Sequence, residues 1–242
     1  MINGVRAGRL LGVNEVEIWH GKITGKNMHY QAYWRVLDEA EQTQAGKFKN
    51  VLLHQRYVEI HGRLRNLLAQ VLNQSPEKIR IKKAEHGKPY LADYPELAFN
   101  LSHSADRWMI AMGWNCRLGV DVEICGQRTN LSGLVNKSFS KEEATYWIQL
   151  PETQKNQAFY RTWTKKEAFV KATGYGIALG LNQCVINPEN PAEFLRIPAK
   201  CGTPSAWHVL DFELEEGVCS ALVADKKFSV INQIVSSPCT LL

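Results

Sequence analysis

No apolar run in this chain approaches the ~18 residues that a membrane-spanning helix needs. The first residues lack the apolar core of a secretory signal. The six cysteines, Cys116, Cys125, Cys184, Cys201, Cys219 and Cys239, include no CxxC pair and no zinc-like spacing. A disulfide framework and a structural zinc site are therefore excluded, and the cysteines read as reduced, mostly small buried hydrophobes of a cytoplasmic protein. Low-complexity tracts and visible repeats are lacking as well. A dinucleotide fingerprint is also missing. Gly174 to Gly180 is spaced GxGxxxG and follows a helical pattern instead of a strand, so it reads as a helix stop and turn.

What is present fits an ordinary globular chain. It has 242 residues, 45% hydrophobic and 22% charged, enough for one large domain or two small ones. The net charge is +5, and the halves differ. Residues 1–115 carry 16 basic and 11 acidic side chains, whereas residues 116–242 carry 13 of each. The excess in the first half suits either a solvated basic surface or attraction to an acidic partner or a polyphosphate.

Val13 to Trp19 alternates as a strand, and polar Asp38 to Lys49 opens a helical region. Asn50 to Asn73 predicts a long helix whose stripe is Ile60, Leu64, Leu67, Leu68 and Val71, with Arg56, Glu59, Arg63 and Gln70 opposite; Ser75-Pro76 ends it. His86 to Pro89 is a turn. Trp108 to Trp114 and Leu118 to Ile124 read as two strands joined tightly through Asn115-Cys116. Ser140 to Glu143 is a capping box opening a helix to about Gln149, and a second helix runs from about Thr153 to Thr173, stopped by Gly174. Ala206 to Leu214, Val218 to Ala224 and Phe228 to Val235 close the chain as strands. Strands and helices that do not alternate regularly indicate an α+β fold.

Two stretches carry chemistry. In Gly119-Val120-Asp121-Val122-Glu123 the two carboxylates project from one face of a half-buried strand. Charges on a strand ordinarily face water, but like charges this close repel unless something positive lies between them. With no histidine or cysteine beside them, Mg²⁺ or Mn²⁺ suits them better than zinc. Gly119 leaves room for something to approach the backbone. In Trp163-Thr164-Lys165-Lys166-Glu167-Ala168-Phe169-Val170-Lys171, Glu167 and Lys171 share a helix face, which alone would be an ordinary ion pair. Lys165 and Lys166 read as surface charge and Trp163 as core. Glu143 has a structural alternative as the cap of its own helix. Ser102 and His103, adjacent on an extended segment, point to opposite sides and form no nucleophilic dyad.

Taken in order, GVDVE, FSKEE and WTKKEAFVK resemble the signature of the Sfp-type 4′-phosphopantetheinyl transferases, (V/I)G(V/I)D-x-E followed by (W/F)(S/T/C)-x-K-E-(A/S)-x-x-K. Leu118 stands at the first place of that signature. Gly87-Lys88-Pro89 and Phe99-Asn100-Leu101-Ser102-His103-Ser104 are similar to further elements of the family. The resemblance implies two similar α+β halves related by a pseudo-twofold, here residues 1–115 and 116–242, with coenzyme A in the cleft between them. It implies transfer of phosphopantetheine from coenzyme A to a serine of an acyl or peptidyl carrier protein, leaving 3′,5′-ADP. Carried over by position, Asp121, Glu123 and Glu167 would hold Mg²⁺, and Lys171 would contact the phosphates and assist the departing group. His103, Lys88, Ser102 and Arg56 would bind coenzyme A, with Lys47 and Lys49 as helpers. The base would be Glu167 or Glu143, and residues 125–150 would offer part of the carrier surface. A duplicated fold in one chain suits a monomer.

Two other function classes compete. A metal-dependent phosphodiester or pyrophosphate hydrolase would use the same carboxylates but leaves the GKP and SHS elements unexplained. A non-catalytic basic module for nucleic acid or an acidic protein lacks any aromatic-rich basic stripe.

Overall fold

The computed structural model describes residues 11–12, 14–23, 29–126 and 130–235. Its elements confirm an α+β architecture built as two halves, each setting a 22-residue helix against a mainly antiparallel sheet. In the first half, β1 (Glu15–Lys22), β5 (Arg107–Trp114) and β4 (Leu97–Ser104) pair antiparallel in that order. In the second, β6 (Leu118–Ile124), β10 (Val218–Ala224) and β9 (His208–Glu215) do the same. The last strand, β11 (Val230–Val235), returns to pair parallel with β1 and so belongs to the sheet of the first half. Val13, at the start of the expected first strand, lies outside the described residues.

The long helix of the first half is α3 (Val51–Leu72). Asn50 opens it by accepting from the Leu53 N–H at 3.1 Å, and Asn73 closes it in the left-handed conformation, φ 49°. Its stripe of Ile60, Leu64 and Leu68 packs on Phe99, Trp108, Ile110 and Met112. Glu59 and Arg63, expected on the side opposite that stripe, do not face solvent. Helices α1 (Tyr30–Val36) and α2 (Glu39–Gly46) cover the other side of α3, burying both residues. Arg63 bonds Glu59 and lies over the Trp108 and Tyr33 rings, so the buried charge is partnered.

Strand β5 is apolar at nearly every position because both its faces are covered. Trp108, Ile110 and Met112 face α3, while Met109 and Ala111 join Val16 and Ile18 against Leu118, Val120, Val122 and Leu222 of the second sheet. The tight join at Asn115, φ 52°, therefore does not make a hairpin. It carries the chain from one sheet to the other, and β6 pairs with β10 instead of β5.

The second half adds α4 (Leu131–Ser138), α5 (Lys141–Gln149) and α6 (Glu152–Thr173). The Ser140–Glu143 capping box of α5 forms as expected, and Gly174, φ 77°, ends α6. Helix α6 lies directly on β6. A Cβ at Gly119 would come 2.1 Å from the Ala168 carbonyl oxygen and 2.4 Å from the Ala172 nitrogen. The space that Gly119 leaves is thus filled by helix backbone, which sets Glu167 and Lys171 over the carboxylates of β6. Short strands β2 (Ile81–Lys83) with β3 (Pro89–Leu91), and β7 (Val185–Ile186) with β8 (Phe194–Arg196), complete the strands among the described residues.

Candidate active site

Strand β6 is bonded to β10 along one edge, and its other edge faces β4. There the partners are side chains instead of a backbone ladder. Asn100 Oδ1 accepts from the Val120 N–H at 2.8 Å, Ser102 Oγ from Val122 at 3.3 Å and Ser104 Oγ from Ile124 at 3.5 Å. Alternate residues of a strand share a face, so Asn100, Ser102 and Ser104 present one polar row to the alternate N–H groups of β6. The two halves are stitched along this seam. Leu101 and His103, between the polar residues, turn the other way.

A cleft of ≈ 380 Å³ opens where the seam meets α6. It is lined by Asp121 and Glu123 from β6, Glu167, Lys171 and Trp163 from α6, and Leu101, Ser102 and His103 from β4. The three expected metal-binding carboxylates therefore face one cavity. Asp121 is 5% exposed; its Oδ1 accepts from Ser102 Oγ at 2.8 Å and Lys171 Nζ at 2.6 Å. Its Oδ2 is buried without a hydrogen-bond partner. Burial raises the Asp121 pKa more than the Lys171 ammonium and the Ser102 bond lower it. Burial, then the charges of Asp121 and Glu123, raise Glu167 as well, while Lys171 opposes. Partial burial, then Lys171, His61 and Arg56, hold the His103 imidazole below its ordinary pKa, with Asp121 acting against them.

An orphaned carboxylate oxygen and mutually repelling acids fit a hard cation with oxygen ligands; His103 lines the same cleft as an imidazole, and no cysteine is among the lining residues. Among the described residues no three acidic, histidine or cysteine side chains are gathered closely enough to form a coordination shell by themselves. Lys171 takes the Asp121 oxygen that lies toward Ser102, and it supplies the positive charge there.

Other expected residues are placed differently. Glu143 is not in the cleft. It is 4% exposed, accepts from the Ser140 and Ile186 N–H groups at 2.7 Å each, and pairs with Lys166. Its carboxylate is thus engaged by three partners away from the cleft lining. Lys165 and Lys166, read as surface charge, are both buried. Lys166 also donates to the Ser138 and Leu181 carbonyls, and its pKa is lowered by burial against the opposing charge of Glu143. Lys88 donates to Leu118 O at 3.0 Å and Ala172 O at 2.7 Å, clasping the end of α6 to β6. Burial lowers its pKa to about 8. Lys47 and Lys49 are exposed away from the cleft walls. Arg56 lies close enough to His103 to depress its pKa, and its buried Nε has no partner. Trp163 both stacks on Phe159, at 5.7 Å between ring centroids, and lines the cleft. The role of Ser104 was missed, although the alternation of Asn100, Ser102 and Ser104 along the strand is the signal that marks it.

Comparison with known proteins places this geometry. Residues 23–114 match the family described as 4′-phosphopantetheinyl transferase, N-terminal, and residues 117–223 match the 4′-phosphopantetheinyl transferase superfamily. The two matches meet where the chain crosses between sheets. The chain is 31% identical over 215 residues to the 4′-phosphopantetheinyl transferase HetI of Nostoc sp., covering 87% of each chain. It is 31% identical to a putative 4′-phosphopantetheinyl transferase of Synechocystis sp., over 73% of this chain and 72% of that one. The likeness to 4′-phosphopantetheinyl transferase Sfp of Bacillus subtilis is 26%, over 66% of this chain and 70% of that one. With both halves matched and the GVDVE and WTKKEAFVK stretches meeting at one cleft, the chain belongs to the 4′-phosphopantetheinyl transferase superfamily.

Proposed function

We propose that this chain moves the 4′-phosphopantetheine group of coenzyme A to a serine hydroxyl of an apo acyl or peptidyl carrier protein, with Mg²⁺ or Mn²⁺, releasing 3′,5′-ADP. The observation that carries the proposal is the meeting of Asp121, Glu123, Glu167 and Lys171 at one cleft, with the buried Asp121 Oδ2 unpartnered. Bound to the three carboxylates, a divalent cation would neutralise charge on the diphosphate of coenzyme A.

Phosphoryl transfer asks the protein for positioning and charge neutralisation more than for covalent help. Asp121, Glu123 and Glu167 would hold the cation. Lys171, within reach of the same pocket, would meet the phosphates and the departing oxygen. His103 and Arg56 would receive the other phosphates of coenzyme A, which is supported by their proximity and by the unpartnered Arg56 Nε. Glu167 is the base in this reading, supported by its place in the cleft beside Lys171, where the carrier serine would enter. The excess basic charge of residues 1–115 would attract coenzyme A and an acidic carrier alike. Exposed Tyr146 and Ile148 on α5 support a docking role for residues 125–150, of which 127–129 lie outside the described residues.

The test mixes the purified chain, coenzyme A, Mg²⁺ and a panel of apo carrier proteins and reads intact masses. One carrier should gain the mass of one phosphopantetheine on its serine. Free phosphopantetheine released with no acceptor modified would favour a hydrolase and overturn the proposal.

A further inference from the structure

The seam between β4 and β6 does more than join the halves. Each of its two serines also reaches a carboxylate. Ser102 Oγ bonds Asp121 Oδ1 at 2.8 Å, and Ser104 Oγ bonds Glu123 Oε2 at 2.5 Å. A hydroxyl has one proton to give and lone pairs to accept with. The N–H groups of Val122 and Ile124 occupy acceptor positions on the two oxygens. An ionised carboxylate can only accept, so each serine proton is committed to it. The two contacts repeat with one register, 102 with 121–122 and 104 with 123–124. The backbone of β6 thus fixes each hydroxyl, and each hydroxyl fixes one acidic side chain.

The two serines are not equivalent. Ser102 also accepts from Lys171 Nζ at 2.8 Å, so it shares its carboxylate with that ammonium. Glu123 has a longer, less buried side chain with more torsions to settle, and losing that freedom opposes any ligation. We infer that Ser104 is a positioning residue for divalent-cation binding: it holds the Glu123 carboxylate in the orientation from which Glu123 ligates, with Ser102 doing the same for Asp121. The inference rests on the metal reading proposed above. It gives the SHS element a task other than contact with coenzyme A, and it makes cation affinity in the second half depend on a strand of the first. Partners of this outer kind typically change metal affinity about 10–100-fold when removed.

The experiment titrates Mn²⁺ into the full chain saturated with coenzyme A, with no carrier protein present and a coenzyme A blank subtracted, and follows free Mn²⁺ by electron paramagnetic resonance. Wild type, Ser104→Ala, Ser104→Thr and Ser104→Cys are compared, with thermal melts as the check on folding. Ser104→Ala should raise the Mn²⁺ dissociation constant about 10–100-fold, and Ser104→Thr, which keeps the hydroxyl, should restore most of the affinity. Turnover of Ser104→Ala should recover as Mg²⁺ is raised, so the metal KM moves and kcat does not. Should Ser104→Ala lose its cooperative melt, Ser104→Cys keeps the volume with a much weaker donor and should show the same loss of affinity. A folded Ser104→Ala or Ser104→Cys that binds Mn²⁺ as wild type does overturns the inference alone. Wild type that takes up no Mn²⁺ overturns the metal reading beneath it.

Discussion

Glu167 carries the tension of the cleft. Burial and the neighbouring charges of Asp121 and Glu123 raise its pKa, so the folded chain holds its proton to a higher pH than the unfolded chain does. At neutral pH its charge therefore costs stability, and that cost disappears as the pH falls through the raised value. Glu167→Gln should abolish transfer yet stabilise the metal-free protein by about 0.5–2 kcal/mol. The gain should be largest near pH 7 and shrink toward pH 4.5, as read from urea midpoints; a destabilised Glu167→Gln at pH 7 would oppose this account. Lys171 is tested kinetically. Lys171→Ala should lower kcat by about 100-fold or more while coenzyme A affinity changes less, and the reverse split would leave it a binding residue only. Both residues were legible in the sequence because four-residue spacing fixes a shared helix face. The contact of Lys171 with Asp121 and Ser102 was not legible, since it depends on how closely α6 lies on β6.

Among the elements, α6 shows what local pattern could and could not reveal. Its span, its Gly174 stop and the capping box of α5 followed from residue types that satisfy helix ends. The fate of Lys166 and Glu143 did not, because a lysine on a helix carries no mark of the acid that will meet it from another element. Here one buried ion pair gathers α4, α5, α6 and β7, and it holds the helix that bears Glu167. Removing one partner strands the other. Lys166→Met should cost about 3–5 kcal/mol and lower the melting temperature, and Glu143→Gln should cost stability while Glu143→Gln enzyme that stays folded keeps most of its turnover. A stable Glu143→Gln protein without transfer activity would return Glu143 to the role of base. The tight join between β5 and β6 was legible, but the strand with which β6 pairs was not, for a related reason. Two strands and a short link look the same in sequence whether the second strand pairs with the first or leaves for another sheet.

At the scale of the molecule, the sequence divides more cleanly than the fold does. The α+β class was readable from element order, the two halves from the family resemblance, and the basic excess of residues 1–115 from counting. Three features tie the halves together across that boundary. β11 pairs with β1, the polar row of β4 bonds the N–H groups of β6, and Val16, Ile18, Met109 and Ala111 share a core with Leu118, Val120, Val122 and Leu222. The partner in each case is not visible in local pattern, because each feature joins residues far apart in the chain. Residues 1–115 and 116–242 expressed separately should consequently lack cooperative melts, which circular dichroism would show. Two independently folded fragments would mean that the seam and the shared core contribute little.

The central claim, that Asp121, Glu123 and Glu167 together grip one divalent cation on the diphosphate of coenzyme A, meets its most direct test in calorimetry. Coenzyme A should bind the wild-type chain more tightly with Mg²⁺ than without it. Asp121→Asn, Glu123→Gln and Glu167→Gln should each remove that enhancement while leaving the metal-independent binding in place. An enhancement that persists undiminished in all three variants would contradict the account.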